Sequence, residues 1–240
     1  MQFAAPRTPR QDECYFYHRM DLPGVGTVGS EWDLREGIDA YLGDVVFEGR
    51  TAVDVGTASG MLCFEMERRG AKVVGYDLSD EFDWDIVPYD GEPDRAVLER
   101  NRVHLRFINN SWWFARNALG SRANVVYGPV YEIDKRIDPV DIAVCGSILL
   151  HLRDPVLALE KISRVCRDTL VIADKDVPTP QFIPDPAHRQ LDTWWIYPAS
   201  TYEAILKVFG FRHFTVSRHR QTHAESGSAI DLYTLVARRG

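Results

Sequence analysis

The feature that most constrains the fold is an apolar strand that leads directly into a glycine-rich turn and a helix. Residues Thr51-Ala-Val-Asp-Val55 are rich in β-branched side chains, which are typical of a short buried strand. Two glycines follow, Gly56 and Gly60. The helical pattern of residues 61–69 ends at Gly70, the usual position of a helix-terminating glycine. This order predicts one strand–turn–helix unit of a parallel sheet.

Strands and helices continue to alternate along the chain. Asp154 and Pro155 form a typical helix start, and Ser200 with Glu203 three residues later predicts a capping box at another helix. This alternation predicts an α/β fold with a seven-stranded, mostly parallel sheet, helices on both faces, and ligands at the carboxyl ends of the strands. The six further predicted strands are residues 72–76, 123–127, 141–145, 169–173, 211–216 and 231–237.

Length and composition are those of a single domain. The chain has 240 residues, of which 45% are apolar and 26% are charged, close to the globular average. We expect residues 46–240 to form the α/β unit, with an insertion at about 79–120, and residues 1–45 to form a lid or substrate-binding segment. The four cysteines are scattered and form no CxxC pair, which predicts reduced thiols.

The charge pattern restricts the classes of partner. A formal net charge of −7 argues against a nucleic-acid partner, because such proteins usually carry a basic surface. The longest apolar run, residues 142–150, is too short for the ~20 residues of a membrane span, and the N-terminus lacks an apolar signal-peptide core, so we expect a cytoplasmic protein. The acid-rich residues 77–99 are typical of a solvated loop and would also suit a cationic substrate. The oligomeric state stays open.

The turn after the first strand predicts a nucleoside site. Glycines at its two ends let the backbone turn tightly and approach a ligand, and the following helix offers free N–H groups. The spacing is not the GxGxxG of dinucleotide-binding proteins. Asp54 would repel a phosphate but could hold water or the amino group of a cationic ligand. Asp77 ends the second strand, where a carboxylate can accept hydrogen bonds from both ribose hydroxyls.

These residues resemble the class I S-adenosylmethionine-dependent methyltransferases. VDVGTASG is similar to their first motif and GYDLS to their acidic loop after the second strand, with Ala58 where the family most often has glycine. The resemblance implies a Rossmann-like fold and S-adenosylmethionine as cofactor. After the third strand, Val130 and Tyr131 stand where the family usually places an adenine-binding acid. The implied cofactor-binding residues are Asp54, Gly56, Thr57, Ala58, Ser59, Gly60, Asp77, Leu78, Val130, Tyr131, Cys145 and Gly146.

A narrower resemblance extends to other segments. The residues from Gly29 to Arg35, the LLHLRDP segment, and Trp194-Trp195-Ile-Tyr197-Pro198 are similar to the group that contains the tRNA wobble-uridine carboxymethyltransferases and related uncharacterised methyltransferases. The tRNA enzyme of that group uses a carboxylated cofactor and a basic tRNA surface. Because the chain shows no such basic surface, the resemblance implies the architecture but not the substrate.

Candidate catalytic and substrate-binding residues lie near the expected site. His151 follows the fourth strand, whose end lines the methyl-transfer site in the resembled family, so it is expected to act as a general base or orienting group; a structural histidine is the alternative. No metal is predicted, because Asp174 and Asp176 have no acid opposite them and His219 and His223 have no third ligand. The candidate substrate-binding residues are Tyr17, Trp32, Trp113, Trp194, Trp195 and Tyr197.

The sequence therefore predicts a methyltransferase that acts on a small molecule by O- or N-methylation in secondary metabolism. Three alternatives stay open: a tRNA-modifying (carboxy)methyltransferase, a nicotinamide-dependent oxidoreductase, and a catalytically silent nucleoside-binding module. The ligand released from the purified protein would separate them.

Overall fold

A twisted central sheet organises the molecule. The computed structural model describes residues 1–91 and 95–240, so Glu92 and Asp94 of the acidic run lie outside the described residues. The strands are β1 (Met20–Leu22), β2 (Gly26–Val28), β3 (Trp32–Asp33), β4 (Thr51–Val55), β5 (Lys72–Asp77), β6 (Asn124–Tyr127), β7 (Val140–Gly146), β8 (Cys166–Lys175), β9 (Gln181–Phe182), β10 (Trp195–Ile196), β11 (His213–His223) and β12 (Ala229–Arg238). The α-helices are α1 (Ile38–Tyr41), α2 (Met61–Arg68), α3 (Arg95–Leu119), α4 (Ile133–Arg136), α5 (Pro155–Val165) and α6 (Ala199–Val208).

The predicted α/β sheet is confirmed. Within the described residues the central sheet has eight strands in the order β3-β11-β12-β8-β7-β4-β5-β6. Strands β4 to β8 are mutually parallel, and β12 runs antiparallel to both of its neighbours. The seven predicted strands are all present, and β3 of the N-terminal segment extends the sheet by pairing its Trp32 with His223 of β11.

Apolar side chains cover both faces of the sheet. The core on one face contains Leu62 of α2 and Trp112 of α3, together with residues of the N-terminal segment. The core on the other face contains Leu159 of α5 and Tyr202 of α6. Central parallel strands are therefore buried on both sides, which explains the continuous apolar pattern of β4. Most of the expected insertion at 79–120 is α3, which contributes to the core.

The two predicted helix starts have different outcomes. Asp154 caps α5 as predicted, because its Oδ1 accepts a hydrogen bond of 2.9 Å from the N–H of Leu157. The capping box at Ser200 was wrong: α6 begins at Ala199 and no side chain caps it. Ser200 already lies in the first helical turn, where a residue cannot act as N-cap. Glu203 instead pairs with Lys207 at 2.6 Å.

Two whole-chain features complete the description. All four cysteines are free thiols, and three of them are buried. Across residues 1–91 and 95–240, no helix combines the length and apolar character needed to cross a membrane.

Candidate functional site

A cavity of about 560 Å³ lies at the carboxyl edge of the parallel strands. Each of the five strands β4 to β8 contributes a residue at or just beyond its carboxyl end, and the N-terminal segment contributes further lining residues. The predicted site residues that line it are Tyr17, Trp32, Gly56, Ala58, Asp77, Leu78, Val130, Tyr131, Gly146 and His151.

The turn after β4 forms a tight wall of the cavity. The N–H groups of Gly56 and Thr57 both donate to the carbonyl oxygen of Tyr76, at 2.8 and 3.2 Å. Gly56 has φ +77°, and a Cβ added there would lie 2.8 Å from Cγ1 of Ile148. Ala58 adopts φ +46°, a left-handed conformation that is uncommon for a residue with a side chain. The wall therefore depends on a backbone that few sequences allow.

Asp77 connects this turn to the end of β5. Its two carboxylate oxygens accept hydrogen bonds from the N–H groups of Ala58 and Leu78, each at 2.7 Å. Burial raises the pKa of Asp77 to about 6, although both hydrogen bonds act in the opposite direction. A carboxylate has roughly four acceptor positions, so two remain for a ligand in the cavity.

Asp54 lies behind the wall and is buried. Its Oδ2 accepts a hydrogen bond of 2.8 Å from the hydroxyl of Thr57, whereas its Oδ1 has no partner among the described residues. Burial raises the pKa of Asp54 to about 7, and the nearby charge of Asp77 acts in the same direction. An unpaired buried acceptor is costly, so this oxygen is suited to a water or a cationic group.

Four further predicted residues support the wall from behind without lining the cavity. Thr57 and Ser59 are buried, and the Ser59 hydroxyl accepts a hydrogen bond of 3.3 Å from the N–H of His18. Gly60 precedes α2 with φ +92°, and Cys145 is fully buried in β7.

The residues after β6 border the opposite end of the cavity. Val130 and Tyr131 belong to a short 3₁₀ turn over Val130–Glu132. The Tyr131 hydroxyl donates to the carboxylate of Asp85 and accepts from the N–H of Asp154 at 3.2 Å. The hydroxyl is therefore committed to the protein, while the residue lines the cavity.

His151 lies in a 3₁₀ turn after β7 with one ring nitrogen held and one free. Its Nδ1 donates to the carbonyl oxygen of Asp192, which leaves the lone pair on Nε2. Nε2 makes no hydrogen bond with the described residues. Burial lowers the pKa of His151, so the ring is neutral near pH 7. The site thus holds a neutral imidazole with an open basic nitrogen.

Ion pairs and hydrogen bonds join the acidic loop to other elements. Asp80 and Asp83 pair with Arg106 and Arg102 of α3, at 2.8 and 2.9 Å. Asp85 accepts a hydrogen bond of 2.9 Å from the N–H of Arg153. These contacts hold the loop against the body of the molecule, at one side of the cavity.

Two of the six aromatic residues predicted to bind substrate line the cavity, and four do not. Tyr17 and Trp32 line the cavity. Trp113 instead lies in the core with its ring centroid 4.9 Å from that of Trp112. Trp194 donates from Nε1 to the carbonyl oxygen of Asp85 at 2.5 Å, and Trp195 packs 5.7 Å from Tyr197. These last three residues do not line the cavity.

Solved structures with the same topology include two methyltransferases. The magnesium protoporphyrin IX methyltransferase of Synechocystis PCC 6803, with S-adenosylhomocysteine bound, matches 85% of this chain and 81% of its own at a TM-score of 0.55 and 14% identity. The 1,6-didemethyltoxoflavin-N1-methyltransferase of Burkholderia thailandensis, also with S-adenosylhomocysteine, matches 85% of this chain and 77% of its own at a TM-score of 0.53 and 16% identity. The chain has the class I methyltransferase fold.

A sequence relative agrees with this fold. A ubiquinone biosynthesis O-methyltransferase from Alkalilimnicola ehrlichii is 29% identical over 123 residues, which are 50% of this chain. The match spans 38% of that relative's length. No family model matches the sequence. The narrower similarity to the tRNA-modifying group is not confirmed by these comparisons.

Several residues that line the cavity were not predicted from the sequence. Tyr41, Ser147, Lys175 and Gln221 all line the cavity. Lys175 ends β8, so the rule that ligands bind at carboxyl strand ends would have found it. Gln221 lies on an antiparallel strand and Tyr41 on the short helix α1, and no local sequence signal indicates either of them.

The candidate metal ligands are occupied by other contacts. Asp174 accepts a hydrogen bond of 3.1 Å from the Tyr202 hydroxyl, and Asp176 pairs with Arg218 at 2.7 Å. His219 contacts the Thr234 hydroxyl at 2.8 Å. Within the part of the chain that the structure describes, no group of three or more histidine, cysteine or acidic side chains is arranged to hold a metal ion.

Proposed function

We propose that this chain is an S-adenosylmethionine-dependent methyltransferase that acts on a small molecule. One observation carries the proposal: the glycine turn after β4, Asp77 and His151 all line a single cavity. A nucleoside site and a candidate general base therefore share one enclosed space.

The residues of the cavity fit this cofactor. Asp77 retains acceptor positions for two ribose hydroxyls. Behind the cavity wall, the unpaired Oδ1 of Asp54 suits a water bound to an ammonium group. The missing side chain at Gly56 leaves space beside Ile148. Leu78 and Val130 offer apolar contact to a base. When bound, the cofactor supplies a methyl group that is activated by a sulfonium sulfur.

The protein's own contribution is positioning and proton removal. The cavity holds the acceptor close to the cofactor, which lowers the entropic part of the barrier. If the acceptor is a hydroxyl, Nε2 of His151 would take its proton as the new bond to carbon forms and the carbon–sulfur bond of the sulfonium breaks with its electrons going to sulfur. If the acceptor is a neutral amine, Nε2 would take the proton that the nitrogen releases after its bond to carbon has formed. The carbonyl oxygen of Asp192 continues to accept from Nδ1, so the ring keeps its orientation and its positive charge is stabilised. The proton then passes to solvent.

The size of the cavity supports a small acceptor. Its volume of about 560 Å³ falls within the range of small-molecule sites, roughly 300–1,000 Å³. The names of the relatives specify O-methylation in one case and N1-methylation in another, so the proposal covers both atoms. We also propose that residues 1–45 act as the lid, because Tyr17 and Trp32 cover the cavity and β3 ties the segment to the sheet.

Mass spectrometry of the ligand released from purified protein tests the proposal directly. S-adenosylmethionine or S-adenosylhomocysteine supports it, and a carboxylated S-adenosylmethionine would favour the tRNA-modifying alternative. A nicotinamide dinucleotide overturns it. A protein that binds S-adenosylhomocysteine but transfers no methyl group to any acceptor would be the silent binding module.

Calorimetry with S-adenosylhomocysteine tests the assigned ribose contact. Asp77→Ala should weaken binding by about 1.5–3 kcal/mol, the range for hydrogen bonds to a charged group. Asp77→Asn should lose less, because it keeps one acceptor oxygen. Asp39→Ala is the matched control, since Asp39 is exposed and pairs with Arg69. Equal affinity in all four proteins would place the ribose contact elsewhere.

A further inference from the structure

The acidic side chains that line the cavity have hydrogen-bond partners in the protein, whereas its one basic side chain from lysine or arginine has none among the described residues. Five carboxylates line it, and each accepts a hydrogen bond from the protein: these are Glu31, Asp77, Asp83, Asp85 and Asp192. Lys175 is the sole lysine or arginine among the described residues that line the cavity. Its ammonium group makes no hydrogen bond or ion pair with any of them. The cavity therefore presents one free positive charge.

Lys175 lies on the face of the sheet that packs against the N-terminal segment. It is the last residue of β8 and alternates with Val171 and Ala173, which belong to the core beneath the N-terminal segment. Its charge also contributes to the low pKa of His151, after the larger effect of burial. Lys175 and His151 also line the same cavity.

Gln221 provides a second free polar group on this side. Its side chain is only 5% exposed and lines the cavity, yet its amide makes no hydrogen bond with the described residues. The strand register places it on the same face of the sheet as Lys175, with β12 between their two strands: Gln221 pairs with Ile230, and Lys175 pairs with Leu232, two residues further along β12. Because Ile230 and Leu232 point to one face, both of their partners do as well.

A half-buried cation and an amide without protein partners are both free to donate hydrogen bonds to a ligand in the cavity. We propose that Lys175 and Gln221 bind a carboxylate on the acceptor molecule and thereby place its nucleophilic atom beside His151. The inference rests on the proposed function and specifies the acceptor as an acid. A single ammonium group with one amide donor matches the charge of a carboxylate, whereas phosphate sites usually bring arginine or several backbone N–H groups.

The same chemistry has a second source, because the methionine part of the cofactor also carries a carboxylate. The two sources make opposite predictions for a cofactor product measured alone. If Lys175 holds the acceptor, Lys175→Met leaves the affinity for S-adenosylhomocysteine unchanged. If it holds the cofactor, that affinity falls.

The experiment measures binding to protein saturated with S-adenosylhomocysteine. The probes are aromatic and aliphatic hydroxy and amino carboxylic acids, each with its methyl ester, screened by thermal shift and followed by calorimetry. At least one acid should bind wild-type protein about 10-fold or more tighter than its ester. Lys175→Met should abolish this preference, Lys175→Arg should retain it, and Gln221→Leu should reduce it.

Lys72→Met is the matched control, because Lys72 is an exposed lysine at the amino end of β5. It should behave as wild type. Failure of the wild type to bind S-adenosylhomocysteine overturns the proposed function itself. If S-adenosylhomocysteine binds but no acid is preferred over its ester, only the carboxylate site is overturned. Weaker binding of S-adenosylhomocysteine to Lys175→Met likewise overturns it.

Discussion

At the scale of single residues, the candidate site is built on unusual backbone conformations. Ala58 and Ser147 both have positive φ values, +46° and +50°, and both line the cavity. Such conformations cost on the order of 1–3 kcal/mol and persist only where the surrounding structure enforces them. Here the hydrogen bond from Ala58 to Asp77 and that from Ser147 to Ala173 do so, at 2.7 and 2.8 Å. Strain at both positions agrees with a binding role for the turns.

Gly56→Val should eliminate detectable binding of S-adenosylhomocysteine in calorimetry. The new Cβ would lie 2.8 Å from Ile148, and the side chain would occupy the cavity wall. Gly49→Val is a matched control: Gly49 has a similar φ of +70° but no atom within 4 Å of the added Cβ. Both variants should lose stability through backbone strain, by roughly 1–2 kcal/mol, and only the first should lose binding. Wild-type affinity in Gly56→Val would show that the turn is not the cofactor site.

His151 is predicted to act on the rate and not on cofactor affinity. With an acceptor in hand, His151→Ala should lower kcat by about 10²–10⁴-fold. His151→Asn can still donate to the carbonyl oxygen of Asp192, so it should keep the fold while losing the base. If His151 is instead structural, His151→Asn should show near-normal turnover and His151→Ala should have a lower Tm.

The pH profile of the wild type gives an independent measure of the same residue. Activity should rise with pH as His151 loses its proton and then level off. Because burial lowers the pKa of His151, the midpoint should lie below the usual value of about 6.5. This rise should be absent in His151→Asn.

At the scale of secondary-structure elements, helix starts show how a local pattern can be decided by one residue. Pro155 follows Asp154 and fixes the start of α5, whereas Pro198 places the start of α6 one residue before Ser200. The Asp154 carboxylate therefore caps a helix and the Ser200 hydroxyl does not.

Asp154→Ala should lower the free energy of unfolding by about 1 kcal/mol, the usual cost of losing an N-cap side chain. Ser200→Ala should change it by less than about 0.5 kcal/mol, because Ser200 makes no capping bond. Denaturant titrations of both variants check this. Equal losses of unfolding free energy in the two variants would show that the Asp154 side chain does not stabilise α5 as an N-cap.

At the scale of the whole molecule, three buried carboxylates link stability to pH. Burial raises the pKa values of Asp54 and Asp174 to about 7 and that of Asp77 to about 6. A carboxyl group with a raised folded-state pKa adds stability that is fully present below its unfolded pKa of about 3.9 and is lost as the pH rises through the folded value. The ligand-free protein should therefore lose stability between about pH 4 and pH 7 through these groups.

Asp174→Asn isolates one of these contributions outside the cavity. The amide cannot ionise, so the decrease in unfolding free energy between pH 5 and pH 8 should be smaller than in wild type, by on the order of 2 kcal/mol. Urea titrations at several pH values measure this difference. Asp176→Asn, two residues further on and partly exposed beside Arg218, is the control and should follow the wild-type curve. Parallel curves for Asp174→Asn and wild type would show that Asp174 is ionised without cost.

The sequence by itself determined the parts of this protein that depend on neighbouring residues. The seven strands, the cap of α5 and the glycine turn after β4 were predictable because strand periodicity, N-cap chemistry and positive-φ glycines are local properties. The positions of Asp77 and His151 followed as well, since the carboxyl ends of parallel strands share one edge.

Only the tertiary structure decided which side chains meet across that edge. Tyr41 and Gln221 come from a short helix and an antiparallel strand, and nothing local indicates that they face the same cavity as the carboxyl ends of the parallel strands. Trp113 was predicted to contact substrate but lies in the core, because its face of α3 packs against the sheet. Burial and hydrogen-bond partners result from competition among side chains far apart in sequence, and only the packed chain resolves that competition.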